Sequence, residues 1–397
     1  MNNLSQRLNR LQPSATLAMS QKSNEMKARG IDIINMSIGE PDFNTPEPIK
    51  EAAKKAIDDN YSHYSPVPGY PVLRNAIVDK LKRENDLDYT PAQILCSNGA
   101  KQSVCNTLMA LINDEDEVII PAPYWVSYPQ MVKLAGGNPI SIEATIEQDF
   151  KITPAQLEAA ITPRTKALIL CSPSNPTGSV YSFEELTGLA EVLKKYPEII
   201  VLSDEIYEHI NYTGRHASIA QVPGMKDNTV IINGVSKAYA MTGWRIGFIA
   251  APEWIVKGCN KLQGQYTSGP CSVSQIAAAA AFAGDQQCVE KMRQAFEHRK
   301  DLIVSLAKDI PGFEVNMPDG AFYIFPKVSS YFGKSYETRT IQTSTDFAMF
   351  LLEVAHVASV GGDDFGSPDC IRLSYATSEE NIREAMKRIR ETVAHLK

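Results

Sequence analysis

Asn233-Gly-Val-Ser-Lys237-Ala-Tyr-Ala-Met-Thr-Gly-Trp-Arg245-Ile-Gly247 contains one lysine among small, aromatic and neutral residues, with an arginine eight positions later. No other charge stands between Asp227 and Arg245. A lysine on a surface helix usually has charged neighbours; one without them is a candidate for burial. A buried ammonium loses hydration, and its pKa can fall by roughly 3–5 units. A neutral amine can attack a carbonyl and form a Schiff base. The plainer reading is a lysine snorkelling from a core edge.

The residues upstream shift the balance. Ile199-Ile-Val-Leu202 is a short apolar run that reads as a fully buried strand, and Ser203-Asp204-Glu205-Ile206-Tyr207 follows where it should emerge. Lys166-Ala-Leu-Ile-Leu170 is a second run, ending in the turn-rich Ser172-Pro-Ser-Asn175-Pro-Thr-Gly178. Ile94-Leu-Cys96 leads through Gly99-Ala100-Lys101 into a helical pattern whose first amides could hold a phosphate. Further runs at Val118–Ile120, Val230–Ile232 and Ile246–Ala250 predict more buried strands. Helical segments fill the gaps, one of them opened by a capping box at Ser182-Phe-Glu-Glu185. Alternating strands and helices predict an α/β fold with a mostly parallel sheet between helices. Ligands of such sheets bind beyond the carboxyl ends of the strands, where these polar motifs fall.

The composition sets limits on function. At 397 residues the chain exceeds one ordinary core, so two domains are expected. Its formal charge of −7 and lack of a basic stripe argue against nucleic acid and acidic membrane surfaces. The Met1-Asn-Asn start has no apolar leader, and no run reaches membrane-spanning length. Seven scattered cysteines without Cys-x-x-Cys suit free thiols in a reducing cytoplasm. No histidine pattern suggests zinc, so no metal is expected. The glycine fingerprints of dinucleotide and P-loop folds are missing: Gly361 to Gly366 has the spacing, but Ser367 replaces the lysine.

In this order the motifs resemble the fold-type I aminotransferases that depend on pyridoxal 5'-phosphate (PLP). The resemblance is strongest to the aspartate aminotransferase branch, class I, subgroup Ib. It runs from about Pro13 to the end. Its markers are Gly39-Glu-Pro-Asp-Phe43, Tyr64-Ser-Pro-Val-Pro-Gly69, Pro123-Tyr-Trp-Val-Ser-Tyr-Pro129, Asn175-Pro-Thr-Gly178, Ser203-Asp-Glu-Ile-Tyr-Glu208, Ser236-Lys237 with Arg245, and Arg372-Leu-Ser-Tyr-Ala376.

The resemblance implies an enzyme of three segments. Residues 1–45 form an N-terminal arm and part of a small domain, 46–285 the large PLP-binding domain, and 286–397 a C-terminal α+β small domain. Lys237 carries PLP as an internal Schiff base and acts as the base. Asp204 partners the pyridine nitrogen, while Tyr207 and Asn175 donate to the phenolate oxygen. Gly99, Ala100, Ser236 and Arg245 hold the phosphate, Lys101 follows that turn among the cofactor-binding residues, Trp125 stacks on the ring, and Tyr64 reaches the phosphate of a neighbouring subunit. The family has a hydroxyl residue three positions before the lysine, where this chain has Gly234. Substrate falls to Gly39, Trp125, Asn175 and Arg372, with Arg372 on the α-carboxylate and Lys101 on the distal carboxylate. The implied reaction moves the amino group of L-aspartate to 2-oxoglutarate in a cytoplasmic homodimer that handles amino acids and 2-oxo acids. Prephenate or aromatic amino acids are the alternative substrates, and a β-lyase or a non-catalytic regulator are the rivals. Two further expectations concern the C-terminal third: 328–345 as a polar surface insertion, and Gly361-Gly362 as a pair that loosens a loop near the site.

Overall fold

Every one of the apolar runs noted above forms a strand in the computed structural model, which describes residues 4–397; the Met1-Asn-Asn start lies outside the described residues. The first pairing segment, β1 (Ile34–Asn35), stands apart from the main sheet. Then come β2 (Ile94–Ser97), β3 (Glu117–Ala122), β4 (Asn138–Glu143), β5 (Thr165–Cys171), β6 (Ile200–Asp204), β7 (Thr229–Gly234) and β8 (Gly247–Ala250). These seven form one sheet in the order β2-β8-β7-β6-β5-β3-β4. All pairings are parallel except the two made by β8, which runs against both neighbours.

Strand periodicity divides the apolar residues between two covered faces. Ile94, Cys96, Ile231, Phe248 and Ala250 pack under the helices Glu47–Asp58, Pro71–Asn85 and Ser272–Ala283. Leu168 and Val201 continue that face under Phe183–Leu193, whose Ser182–Glu185 capping box is formed. On the other face Leu95, Ile120, Ile169, Leu202, Val230 and Ile249 meet Val104 and Leu108 of Ala100–Leu111 and Ile255 of the helix Glu253–Tyr266. Burial on both faces is why these strands read as continuous apolar runs.

A second core gathers the C-terminal third around the helices Gln287–Lys308 and Glu379–Val393. Its strands are short: β9 (Tyr323–Ile324), the hairpin β10 (Ser335–Tyr336) and β11 (Arg339–Thr340), β12 (Val357–Ala358), β13 (Val360–Gly361) and β14 (Ile371–Ser374). β13, β14 and β9 form an antiparallel sheet, and β12 pairs in parallel with β1. Ile34 and Met36 thereby enter this core, as do Ile206, Tyr207 and Ile210 from beyond β6.

The 328–345 segment is less superficial than its polarity suggests. Tyr331 and Ile341 are buried, and Tyr331 stacks on Phe347 with centroids 4.9 Å apart. Gly361-Gly362 also departs from expectation, because the loop it begins is packed rather than loose. A Cβ on Gly362 would lie 2.1 Å from the Ser367 carbonyl oxygen, and the Gly362 amide donates to the Cys370 carbonyl at 2.8 Å. Glycine is required there by close backbone approach.

Candidate active site

The carboxyl edge of the large sheet opens into a cavity of about 400 Å³. Five strands deliver their following turns to this edge: Ala100 and Lys101 after the β2 turn, Trp125 after β3, Asn175 after β5, Asp204 at the end of β6, and Ser236 and Lys237 after β7. The reversed strand β8 contributes through its leading end, since its antiparallel direction brings Arg245 to the same edge. Gly39, ahead of the large sheet in the chain, and Arg372 on β14 close the cavity from the second core.

Lys237 is partly buried and forms no ion pair among the described residues; its amine donates to the Gly39 carbonyl at 2.6 Å. Burial pushes its pKa down to about 8, reinforced by the positive charges of Arg372 and Arg245 and opposed by Glu40 and Asp204. Asp204 is buried and pushed the other way, up to about 6, chiefly by desolvation. It accepts from the Tyr128 hydroxyl at 2.6 Å and from the Ile206 amide at 3.3 Å, both of which favour its ionised form. Tyr207 is buried, and its ring centroid lies 5.7 Å from the Lys237 amine.

Gly99 opens the helix Ala100–Leu111 at φ 82° with no side chain capping it. A Cβ there would come within 2.2 Å of an Arg245 Nη, so glycine lets a guanidinium lie across a helix N-terminus. The Ala100 and Lys101 amides at the helix start, a fork of donors and the buried Ser236 together make a ready anion cradle. Arg245 also donates to the Thr242 carbonyl at 2.8 Å, which anchors it. Lys101 lies with its amine 4.8 Å from the Trp125 ring centroid, and its pKa is lowered by desolvation and by Arg245.

Arg372 is 2% exposed, an unusual depth for a guanidinium without a carboxylate. It donates to Asn175 Oδ1 at 2.9 Å and to the Ser37 carbonyl at 2.6 Å, while its Nε has no partner. A buried cation with a spare donor at a cavity wall is suited to a carboxylate.

Of the residues expected from sequence, only Tyr64 and Gly99 do not line the cavity. Gly99 sits just behind it against Arg245, and Tyr64 is 98% exposed on the surface of the single subunit. The sequence reading omitted Tyr323, and also Tyr128, although the latter falls inside a motif it singled out. It also omitted the helix Ala15–Ala28, which brings Thr16, Leu17 and Ser20 to the cavity; Ser14, at its N-cap, was the only signal.

Comparisons with known proteins place the chain in a family. The sequence profile of a family described as aminotransferase class I and II matches residues 31–389. An aspartate/prephenate aminotransferase of Cereibacter sphaeroides is 48% identical over 99% of each chain. An aspartate aminotransferase of Geobacillus stearothermophilus is 48% identical over 97% of this chain and 98% of its own. Among solved structures, the aspartate aminotransferase of Rhizobium meliloti superposes with a TM-score of 0.96 at 42% identity, covering 100% of both chains. That of Thermus thermophilus with maleate gives 0.93 at 40% identity, covering 99% of this chain and 100% of its own.

Proposed function

Because this chain belongs to the class I and II aminotransferases and has their fold-type I architecture, we propose that it transfers the amino group of L-aspartate to 2-oxoglutarate, yielding oxaloacetate and L-glutamate, with PLP held by Lys237. The observation that carries this reading is an amine held near pKa 8 in a cavity that also contains a buried carboxyl, an anion cradle and a buried arginine. The donor set fits PLP group by group. Ala100, Ser236 and Arg245, with Gly99 behind them, suit the phosphate, and Lys101 lies beside that cradle. Asp204 suits the pyridine nitrogen, Tyr207 and Asn175 the phenolate oxygen, and Trp125 the ring face.

When bound, PLP supplies an aldehyde carbon that captures amines and a ring that withdraws electrons as the substrate Cα gives up its proton. The chain's own residues do the rest. Burial raises the Asp204 carboxyl to about 6 despite the charge of Lys237, and a protonated pyridine nitrogen is the partner that would restore it to full ionisation. Arg372 fixes the substrate α-carboxylate by two-point contact, and Lys101 takes the distal carboxylate. Lys237 Nζ, neutral at moderately alkaline pH, takes the proton from Cα; guanidinium could not.

Tyr64 is assigned to the phosphate in the neighbouring subunit's site, which makes the active unit a homodimer; its near-complete exposure supports this. The domain division near 46 and 286 is part of the same reading, supported by the pairing of β1 with β12. We assign the enzyme to the cytoplasm; seven free thiols suit a reducing compartment, and no helix among the described residues is long and apolar enough to cross a membrane. A second reading, with prephenate as an additional amino acceptor, is favoured by the name of the Cereibacter relative.

The test is single-turnover. PLP-loaded protein mixed with L-aspartate and no acceptor should release one equivalent of oxaloacetate per site and lose its visible band. Pyruvate and ammonia would instead indicate a lyase.

A further inference from the structure

Tyr323, from β9 in the second core, touches three of the groups discussed above. It is fully buried, and its hydroxyl lies 2.7 Å from that of Tyr207. The Arg372 guanidinium sits 4.7 Å from its ring centroid. A Cβ on Gly39 would lie 2.3 Å from its oxygen, so the hydroxyl is held against the residue whose carbonyl receives the Lys237 amine.

Two hydroxyls at that distance share one hydrogen bond, and each has a single proton. If Tyr323 donates, the proton of Tyr207 is left for an acceptor in the cavity. If Tyr207 donates, it has none to offer. Arg372 decides between them. A permanent cation over the face of Tyr323 makes that phenol the better donor. Arg372 acts on Tyr207 as well, but the cation over the Tyr207 ring is Lys237, farther away at 5.7 Å and able to lose its charge. Burial keeps both phenols protonated, so the pair exchanges hydrogen-bond direction rather than charge. The titratable groups facing the pair are Lys237 after β7, Arg372 on β14, Cys171 at the end of β5, and Tyr375 just beyond β14.

We infer that Tyr323 is a positioning residue for the cofactor: its hydroxyl donates to Tyr207 and so commits the Tyr207 proton to the cofactor's phenolate oxygen. This rests on the assignment of Tyr207 proposed above. A donor that itself accepts a hydrogen bond donates more strongly. The Tyr323 hydroxyl therefore stabilises the deprotonated form of the bound cofactor and lowers the pH at which its visible band titrates.

The experiment is a spectroscopic pH titration, without substrate, of PLP-loaded wild type, Tyr323→Phe, Tyr207→Phe and the double variant. Phenylalanine keeps a ring beneath Arg372 and removes only the hydroxyl. The midpoint should rise by a few tenths of a unit in Tyr323→Phe and by more in Tyr207→Phe, with no further rise in the double variant. A fall in Tyr323→Phe would mean the bond runs the other way, and an unchanged midpoint would mean the hydroxyl only packs. An equal rise in the Tyr207→Phe background would mean the effect bypasses Tyr207. Each of these three results overturns the inference. A fluorinated tyrosine at 323, a stronger acid of nearly the same shape, should lower the midpoint even if Tyr323→Phe fails to hold the cofactor; no lowering also overturns it. Wild type that forms no visible band defeats the cofactor reading and this inference together. A normal wild-type titration with an unshifted variant defeats this inference alone.

Discussion

Lys80 and Lys237 are both withdrawn from water, and they keep different company. Lys80 is 0% exposed, pairs with Glu208, donates to Asn85 Oδ1 at 2.8 Å and lies 3.6 Å from Glu84. Lys237 has a backbone carbonyl and aromatic faces instead. The segment joining the two environments is Asp204–Glu208. Asp204 and Tyr207 face the cavity, while Glu205 and Glu208 turn to the opposite side, towards Lys80, His216, Ser203 and Ser218. Desolvation opposes the ionisation of Glu208, but the charges of Lys80, His209 and His216 outweigh it and hold the carboxyl at about 2. Glu205, Glu208 and His216 are close enough together to resemble a metal site, but Lys80 already supplies a cation there. Pairing turns one buried amine into part of the scaffold, and withholding a pair leaves the other available for chemistry.

The largest effect that would break this contrast is catalytic. Lys237→Ala should reduce L-aspartate turnover by roughly 10⁴-fold or more, because proton transfer and covalent capture are lost together. Turnover within tenfold of wild type would remove Lys237 from the chemistry. The next effect is on stability. Lys80→Met removes the lysine partner of the buried Glu208, which should cost about 3–5 kcal/mol in urea unfolding at neutral pH. Adding Glu208→Gln should restore most of the loss. A cost below about 1 kcal/mol for Lys80→Met would mean that the pair is not holding the scaffold.

This contrast was only half legible in the sequence. The isolation of Lys237 could be read from its uncharged neighbours, and the strands could be read because burial on both faces leaves unbroken apolar runs. β4 escaped notice for the converse reason. It is an edge strand with a proline and a mostly exposed or half-buried pattern, so it leaves no such run. The motifs at strand ends were legible because the topology sends them all to one edge. Tyr128 and Tyr323 were not, since a tyrosine within an apolar stretch reads as core until its hydroxyl partner, 76 or 116 residues away, is known. The split of Asp204-Glu205 between two environments depends on how the chain turns after β6, and adjacent carboxylates carry no sign of that. Gly361-Gly362 looked like freedom because the atoms crowding it come from Thr345, Ser367 and Cys370, across a turn and from another element.

The smallest effect sharpens the comparison most, because it reverses sign between the two lysines. In cofactor-free protein Lys237 titrates near 8 when folded, against 10.5 for the free side chain. Between those values the unfolded chain holds the proton that the folded chain has released, so raising the pH stabilises the fold; below about 8 the full cost of burying the charge is present. Lys237→Met removes that cost. The apoprotein variant should therefore be more stable than wild type at pH 7, by on the order of 1–3 kcal/mol, with the gain shrinking as pH rises from about 8 towards 10. Thermal melts of both apoproteins across that range measure it. Lys80→Met should lose stability at pH 7 where Lys237→Met gains it. If both variants are destabilised alike, Lys237 is a paired structural lysine like Lys80, and the division of labour between them does not exist.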